Sequence, residues 1–291
     1  MKSPKRLIIA LLLIMAAAAV AACAAQLAPA APPAAVQSAA QPAVLKIVAS
    51  DHHYAMPPQI KAGYVNVVME NTGQEPHHAQ FLRLNDGVTM EQFQAALEGG
   101  VPAVLQVAAL TGGPSVIDPG LSQSVTLNLT PGQYVLLCII AGPDGVPHLA
   151  KGMIAPLTVT AADGAAASAA AAPQTGNSVR LLDFAFTLPQ SIQAGKQTWE
   201  IKNEGKQPHE MVLIKLHEGK TMDDVAAYMA QPAGTPPFTD VGGMQGIMPG
   251  STAWLDLDLT PGSYVAICHI PDPATGEEHQ HLGMIMPFSV N

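Results

Sequence analysis

Charged and aromatic residues are both scarce in this chain of 291 residues: 12% are Asp, Glu, Lys or Arg, and 4% are Phe, Trp or Tyr. Hydrophobic residues make up 48%, a share that suggests a membrane protein, but the only long apolar run is Leu7–Ala22. A single run excludes a transporter with several membrane-spanning helices. The formal net charge is −9 and no basic stripe is available to neutralise phosphates, so we expect no nucleic-acid partner.

The N-terminus has the three parts of an export signal: basic residues, then an apolar core, then small residues. Its end, Val20–Cys23, resembles the bacterial lipobox, in which the cysteine is acylated and becomes the mature N-terminus. We therefore predict a lipoprotein signal peptide over residues 1–22, lipidation of Cys23 and an extracytoplasmic protein anchored to the bacterial cell membrane, in the periplasm or at the cell surface. An uncleaved anchor helix and an ordinary secretory signal are the alternatives.

The rest of the chain is an internal repeat. Residues 51–77 align with 183–209 without a gap, Thr130–Cys138 aligns with Thr260–Cys268, and Gly152–Pro156 aligns with Gly283–Pro287. Each copy has about 110 residues, enough for its own core. Ala-rich tracts at 23–43 and 161–178 predict a tether and a flexible linker. We therefore predict one domain over 44–160 and a second over 179–291.

The pattern within each copy is mostly β. Short β-branched or alternating runs, such as Val65–Met69, Ser124–Leu129, Tyr134–Ile140 and Trp254–Leu259, lie between Gly/Pro turns. One helix interrupts each copy, because Thr89 and Thr221 begin segments with capping-box spacing. The predicted fold class is all-β, with two β-sandwich domains that each carry one inserted α-helix.

Two cysteines remain besides Cys23, and they occupy equivalent positions in the two copies. A disulfide between Cys138 and Cys268 is therefore geometrically unfavourable, and we predict one free cysteine per domain. Each copy also keeps an upstream His after Pro, a later His and a Met in the same order. The candidate metal ligands are His77, Cys138, His148 and Met153 in the first copy, and His209, Cys268, His279 and Met284 in the second. Two imidazoles, a thiolate and a weak axial thioether are the ligand set of a blue-copper site.

The motifs that carry these residues resemble the cupredoxin family, and plastocyanin-like proteins in particular. They are Asn71-x4-Pro76-His77, Gly132-x-Tyr134-x3-Cys138 and His148-x4-Met153, and the second copy repeats them. The resemblance implies Greek-key β-sandwiches, a type 1 copper cofactor and the eight ligands named above. Plastocyanin-like proteins have only a few residues between Cys and the second His, whereas Ile139–Pro147 and His269–Glu278 separate them here.

Several functions are open at this point. The favoured one is one-electron transfer through mononuclear copper, with a redox protein as partner; copper capture or delivery with a copper-handling partner, and a metal-free interaction module, are the alternatives. His281 competes with His279 as a ligand. Multicopper oxidases need several His-x-His pairs and His on both sides of the Cys, whereas Ile267 precedes Cys268, and no hydrolase or nucleotide-binding motif is present. We therefore predict that the chain is not an enzyme.

Overall fold

The computed structural model describes residues 41–162 and 171–291. The predicted signal peptide, Cys23, most of the tether and part of the linker lie outside the described residues. Strand β1 begins at Ala43 and strand β10 at Asn177, so the ends of the predicted tether and linker belong to strands. Within the described ranges, no helix is long and apolar enough to cross a membrane.

The first domain is built mainly from short strands. Its elements are β1 (Ala43–Ser50), β2 (His53–Ala55), β3 (Gln59–Lys61), β4 (Gly63–Asn71), β5 (Gln80–Leu84), α1 (Met90–Leu97), α2 (Gly100–Val107), β6 (Ala108–Leu110), β7 (Ser122–Leu129), β8 (Gly132–Leu137) and β9 (Ile154–Thr160). A short 3-10 helix, His148–Lys151, precedes β9. Strands β2, β1, β4 and β7 lie side by side in one sheet, and β3, β9, β8, β5 and β6 form the other.

The second domain repeats this plan. Its elements are β10 (Asn177–Leu182), β11 (Ala185–Thr187), β12 (Gly195–Asn203), β13 (His209–Leu216), α3 (Met222–Ala230), β14 (Phe238–Ile247), β15 (Thr252–Leu259), β16 (Gly262–Ile267) and β17 (Ile285–Val290). Strands β11, β10, β12 and β15 lie side by side, and β14, β13, β16 and β17 form the facing sheet. The predicted all-β class with two sandwich domains is confirmed.

The alternating strands have one buried face, and the continuous apolar strands have two. In β4, Val65, Val67 and Met69 point into the core between the sheets while their neighbours are partly exposed. In β8, by contrast, four successive residues are buried, because α1 and α2 cover the outer face of β5 and β8. Helix α3 covers β13 and β16 in the same way. The inserted helices therefore close the second sheet of each sandwich.

The prediction of a single helix per domain is correct in the second domain and wrong in the first. Capping boxes at Thr89 and Thr221 begin α1 and α3, as the spacing predicts. In the first domain, however, α2 follows α1 after Gly99, whose lack of a side chain leaves the new helix without a side-chain cap. Without a capping signal, the sequence pattern had no marker for this second start.

The two domains share one sheet. Strand β15 of the second domain pairs antiparallel with β7 of the first, with Trp254 opposite Thr126 and Leu255 opposite Val125. The result is a continuous eight-stranded sheet across both domains. The buried residues of both sandwiches accordingly form a single connected apolar cluster, including Leu45 of the first and Trp199 of the second. The domains are therefore packed together rather than separated by their linker.

The Gly112–Gly113 segment makes a second contact between the domains, with β14. The Gly112 N–H donates to the Gly246 carbonyl at 2.9 Å, and the Gln245 N–H donates to the Gly113 carbonyl at 2.9 Å. A Cβ on Gly113 would lie 1.9 Å from the Ala79 carbonyl oxygen, and one on Gly243 equally close to a carbonyl in its own domain. The packing within each domain therefore requires glycine at these two positions.

Two carboxyl groups meet across this interface. The Asp240 N–H donates to Asp118 Oδ2 at 3.2 Å, and the Asp118 N–H donates to the Asp240 carbonyl at 3.1 Å. Burial, together with the negative charge of Asp118, raises the pKa of Asp240 to about 7. This folded-state pKa lies above that of Asp in the unfolded chain. The contribution of Asp240 to the free energy of unfolding is therefore most favourable below about pH 4 and is lost as the pH rises towards 7.

We therefore expect Asp240→Asn, which stays neutral, to raise the free energy of unfolding at pH 8 by about 2 kcal/mol and to change it little at pH 4. Chemical denaturation of the full chain between pH 4 and pH 8 measures the effect. Asp258→Asn, at an exposed position of β15, is the matched control and should have no effect. A loss of stability of Asp240→Asn at pH 8 would contradict the prediction.

Candidate metal centres

Each candidate ligand of the first domain lies at the end of a strand or in the loop that follows. His77 forms an isolated bridge with Ile117 just before β5. Strand β8 ends at Leu137, so Cys138 is the first residue after it, and His148 begins the 3-10 helix. The strand predicted to continue to Ile140 therefore stops before the cysteine, which leaves the thiol at the edge of the sandwich.

The long loop between Cys138 and His148 folds back on itself. Ala141 forms a bridge with Pro147, and the His148 N–H donates to the Ile140 carbonyl at 2.8 Å. The extra residues thus form a hairpin-like loop whose two ends, at Ala141 and Pro147, are paired. In the second domain Pro271 pairs with Glu278, and the His279 N–H donates to Ile270 at 2.9 Å. The loops are longer than in plastocyanin-like proteins, yet both bring the histidine back to the cysteine.

The three side chains of each group converge. In the first domain the Nδ1 atoms of His77 and His148 are 3.1 Å apart, and Cys138 Sγ is 3.5 Å from His148 Nδ1. In the second domain the two histidine Nδ1 atoms are 3.1 Å apart, and Cys268 Sγ is 3.4 Å from His279 Nδ1. All six residues are fully buried. The structure therefore brings together six of the eight residues selected from the sequence, in two equivalent clusters.

Hydrogen bonds to the outer nitrogens orient the imidazoles. Glu75 Oε2 lies 2.6 Å from His148 Nε2, and Asp183 Oδ1 lies 3.0 Å from His209 Nε2. A carboxylate only accepts, so each of these histidines carries its proton on Nε2 and directs the bare Nδ1 inward. In the second domain, Gln207 Oε1 is 3.1 Å from His279 Nε2.

One outer nitrogen is not hydrogen-bonded. Among the described residues, His77 Nε2 is buried and has no hydrogen-bond partner, since Asp51 Oδ1 lies 3.9 Å away. Asp51 is the counterpart of Asp183, so the first domain keeps the carboxylate but not the contact.

Burial also sets the protonation states. It lowers the pKa of His77 and of His279 to about 4, with a smaller effect from the neighbouring histidine in each case. Burial raises the pKa of the Cys138 thiol to about 11 and that of Cys268 further above its ordinary value. The two imidazoles are thus neutral at pH 7, as metal ligands must be, and each thiol would release its proton when a metal binds.

The methionines are tied to the same loops through their backbones. The Cys138 N–H donates to the Met153 carbonyl at 3.1 Å, and the Met153 N–H donates to the His148 carbonyl at 2.9 Å. Cys268, His279 and Met284 repeat both bonds in the second domain. Both methionine side chains are fully buried. Their role as axial ligands stays a prediction.

The donor atoms fit copper. Two atoms bonded to one metal ion, at about 2.0–2.3 Å each, lie at most about 4.6 Å apart, and the measured separations of 3.1 to 3.5 Å are within that limit. Two imidazole nitrogens and a thiolate are a donor set that copper favours. Both groups are therefore able to bind copper. His281 is exposed, and His279 is the histidine in contact with Cys268.

Sequence reasoning missed several neighbours of the clusters. His52 precedes β2, and its ring lies 5.1 Å from that of His148, edge to face. Its counterpart Phe184 packs on His279 at 5.2 Å. With Glu75 and His148, His52 forms a further group that could hold a metal ion. The repeat alignment matches His52 with Phe184, and this match was the signal that could have located His52 beside the second histidine of its site.

His78 is a further neighbour that the sequence did not single out. Only 1% of its surface is exposed, and its Nε2 accepts the Ile139 N–H at 3.1 Å. Its counterpart Glu210 accepts the His269 N–H at 2.9 Å. Both side chains therefore fix the residue that follows the cysteine, a role that their different chemistry hides in the sequence.

Comparison with known proteins gives structural neighbours only. No protein-family model matches the chain, and no curated protein matches it. Among solved structures, the chain is similar to a dithionite-reduced auracyanin from Roseiflexus castenholzii, with 22% identity over 42% of this chain and 99% of that one and a TM-score of 0.29. It is also similar to a multicopper oxidase (16% identity, 85% and 88% of the two chains, TM-score 0.25) and to a copper nitrite reductase from Nitrosomonas europaea (15%, 86% and 93%, TM-score 0.24).

The last two neighbours are named as enzymes. They contradict the prediction that the chain is not an enzyme, and that prediction is withdrawn. The prediction relied on the scarcity of His-x-His pairs. That criterion applies to one kind of copper cluster and does not address other copper sites.

The hydrogen bond from His148 to Glu75 should contribute to metal affinity. We expect Glu75→Ala to weaken copper binding at the first site about 10–100-fold, because the imidazole loses the group that orients it. Glu75→Gln should have a smaller effect, because Gln207 has this position in the second domain. Competition with a chelator, in a Cys268→Ser background, measures the first site alone. Glu70→Ala, at a carboxylate paired with Lys46 instead, is the control; equal affinities of the two Ala variants would contradict the prediction.

Proposed function

We propose that this chain is a membrane-tethered, extracytoplasmic copper protein that passes single electrons through two mononuclear sites. The observation that carries the proposal is the pair of buried clusters in which two inward-facing imidazole nitrogens and a thiol meet, each cluster within 4.8 Å. In the first site, His77, Cys138, His148 and Met153 would hold the metal. In the second site, His209, Cys268, His279 and Met284 would do so. Copper, when bound, supplies a centre that alternates between two oxidation states.

The protein's contribution is a rigid and dry site. The backbone bonds among Cys138, His148 and Met153 hold three candidate ligands in one loop, and His77 is held by its bridge to Ile117. The six clustered side chains have no exposed surface, so water is excluded. A site that keeps its shape needs little rearrangement when its charge changes, which favours electron transfer.

The surroundings of the buried thiol favour a metal-binding cysteine over one that only packs in the core. A buried cysteine can pack as a small hydrophobic residue and needs no histidine beside it. Here a carboxylate fixes the proton of His209 on Nε2, so the bare Nδ1 faces a second imidazole nitrogen at 3.1 Å. A cation bound by both nitrogens would satisfy their lone pairs, and the same pair of nitrogens lies 3.1 Å apart in the first domain.

Attachment and partners belong to the proposal as well. Residues 1–22 would be removed on export, Cys23 would carry the lipid, and the Ala-rich tract that follows would let the folded part reach a redox partner near the membrane. We expect Cys23→Ser to move the protein from the membrane fraction to the soluble fraction and to abolish labelling with a fatty acid. Cys138→Ser should stay membrane-bound. Labelling that survives Cys23→Ser would refute the anchor.

Copper binding is tested by visible absorption and EPR after addition of Cu(II) to the purified full chain. We expect two copper ions per chain and a thiolate-to-copper band. Cys138→Ser and Cys268→Ser should each remove about half of the band, and the double variant all of it. Met153→Leu is the contrasting variant: it should keep the band while shifting the potential, because the axial bond is weak.

Other results would point elsewhere. A band that survives the double cysteine variant would overturn copper–thiolate ligation. Tight Cu(I) binding with no reversible redox wave would favour copper capture or delivery. Protein that contains no metal on elemental analysis and takes up none would favour a metal-free interaction module.

A further inference from the structure

One position beside the cysteine carries a hydroxyl in the first site and none in the second. Tyr54 in β2 lies opposite Ala49 of β1, and Phe186 in β11 lies opposite Leu181 of β10, at the matching place in the second domain. Both rings are 4% exposed and belong to the core. The Tyr54 hydroxyl donates to the carbonyl of His78, the residue whose backbone N–H is directed at the Cys138 sulfur, and it interacts with the Cys138 side chain. Phenylalanine offers no hydroxyl for Cys268.

The other hydrogen bonds to the sulfur are matched between the sites. Cys138 receives backbone N–H groups from His78 and Ile140, and Cys268 receives them from the equivalent Glu210 and Ile270. The Tyr54 hydroxyl is therefore an additional group at the first sulfur, over and above a common backbone environment.

The carboxylates are also balanced. Each site has one carboxylate in contact with the outer nitrogen of a ligand candidate: Glu75 at 2.6 Å from His148 and Asp183 at 3.0 Å from His209. They are similarly accessible to solvent, with side chains 25% and 29% exposed. Charge on these two groups thus differs little between the sites. Glu210, whose charge also acts on Cys268, takes the place of His78 in the first site, so the Tyr54/Phe186 pair has to be tested by its own substitutions.

We propose that the Tyr54 hydroxyl donates a hydrogen bond to the Cys138 thiolate and gives the first site a higher reduction potential than the second. This inference rests on the proposed copper function. A donor withdraws electron density from the sulfur, so the thiolate stabilises the oxidised metal less. Tyr54 is a positioning residue that acts through Cys138, and it makes the duplicated sites unequal: the first would be the electron acceptor of the pair.

The hydroxyl has one proton and two neighbours. While Cys138 is a thiol, it can donate to the tyrosine oxygen, and the hydroxyl can donate to the His78 carbonyl. A metal-bound thiolate has no proton to give, so the hydroxyl must either turn its own proton to the sulfur or face it with a lone pair. Donation raises the potential and a facing lone pair lowers it, so the sign of the effect distinguishes the two.

The test uses full-length chains with one site at a time. Spectroelectrochemical titration of the thiolate-to-copper band gives the potential of the first site in Cys268→Ser and of the second in Cys138→Ser. We expect the first potential to be higher. Tyr54→Phe should lower it, changing the ratio of reduced to oxidised copper roughly tenfold at fixed ambient potential, equivalent to about 59 mV. Phe186→Tyr should raise the second potential and shift its band.

The matched control is Tyr134→Phe. Tyr134 is buried in the same domain, but its hydroxyl bonds the backbone of Thr130, away from the sulfur. It should leave the potential and the band unchanged. Circular dichroism and thermal unfolding of each variant verify that the fold is retained.

Each result decides between the claims. Equal wild-type potentials, an unchanged potential in Tyr54→Phe or a rise in that variant would overturn this inference while leaving copper binding intact. Failure of both single-site proteins to show any thiolate-to-copper band would overturn the proposed function, and the inference with it.

Discussion

The structure depends on a buried place where nitrogen lone pairs and a thiol face one another. His209 Nδ1 cannot carry a proton while Asp183 accepts from Nε2, yet it lies 3.1 Å from His279 Nδ1. A lone pair in a dry core needs either a proton or a cation to face it, and a metal ion would serve both imidazoles at once. The surrounding sandwich holds this place together: backbone bonds join the cysteine, the second histidine and the methionine within one loop. The first histidine is held by a separate part of the fold.

The loop after the cysteine shows how the fold tolerates variation without losing the site. Its extra residues leave the sandwich at Ala141 and return at Pro147, and these two residues form a β-bridge. The closing bonds lie on the site side of that pair, at Ile140 and His148. Loop length can therefore change with little effect on the distance between the thiol and the imidazole.

Duplication produced two centres, and packing made them parts of one body. The pairing of β15 with β7 joins the sheets, and the Gly112–Gly113 segment lies against β14 of the other domain. The copies have diverged where a single side chain touches a ligand: Glu75 against Gln207, His78 against Glu210 and Tyr54 against Phe186. The backbone is common to both sites, and their electronic surroundings differ.

The sequence by itself determined the β-sandwich class, the capping boxes of α1 and α3, the free cysteines and the residues that meet in each cluster. These are local periodicities or features that recur in two copies, so they can be read along the chain. Only the tertiary structure decided the second helix of the first domain, the sheet shared between domains, the burial of His78 and the contact of Tyr54 with Cys138. Those features depend on which surfaces meet in space, and residues such as Tyr54 and Cys138 are brought together by strand register across the fold, a quantity that no local pattern encodes.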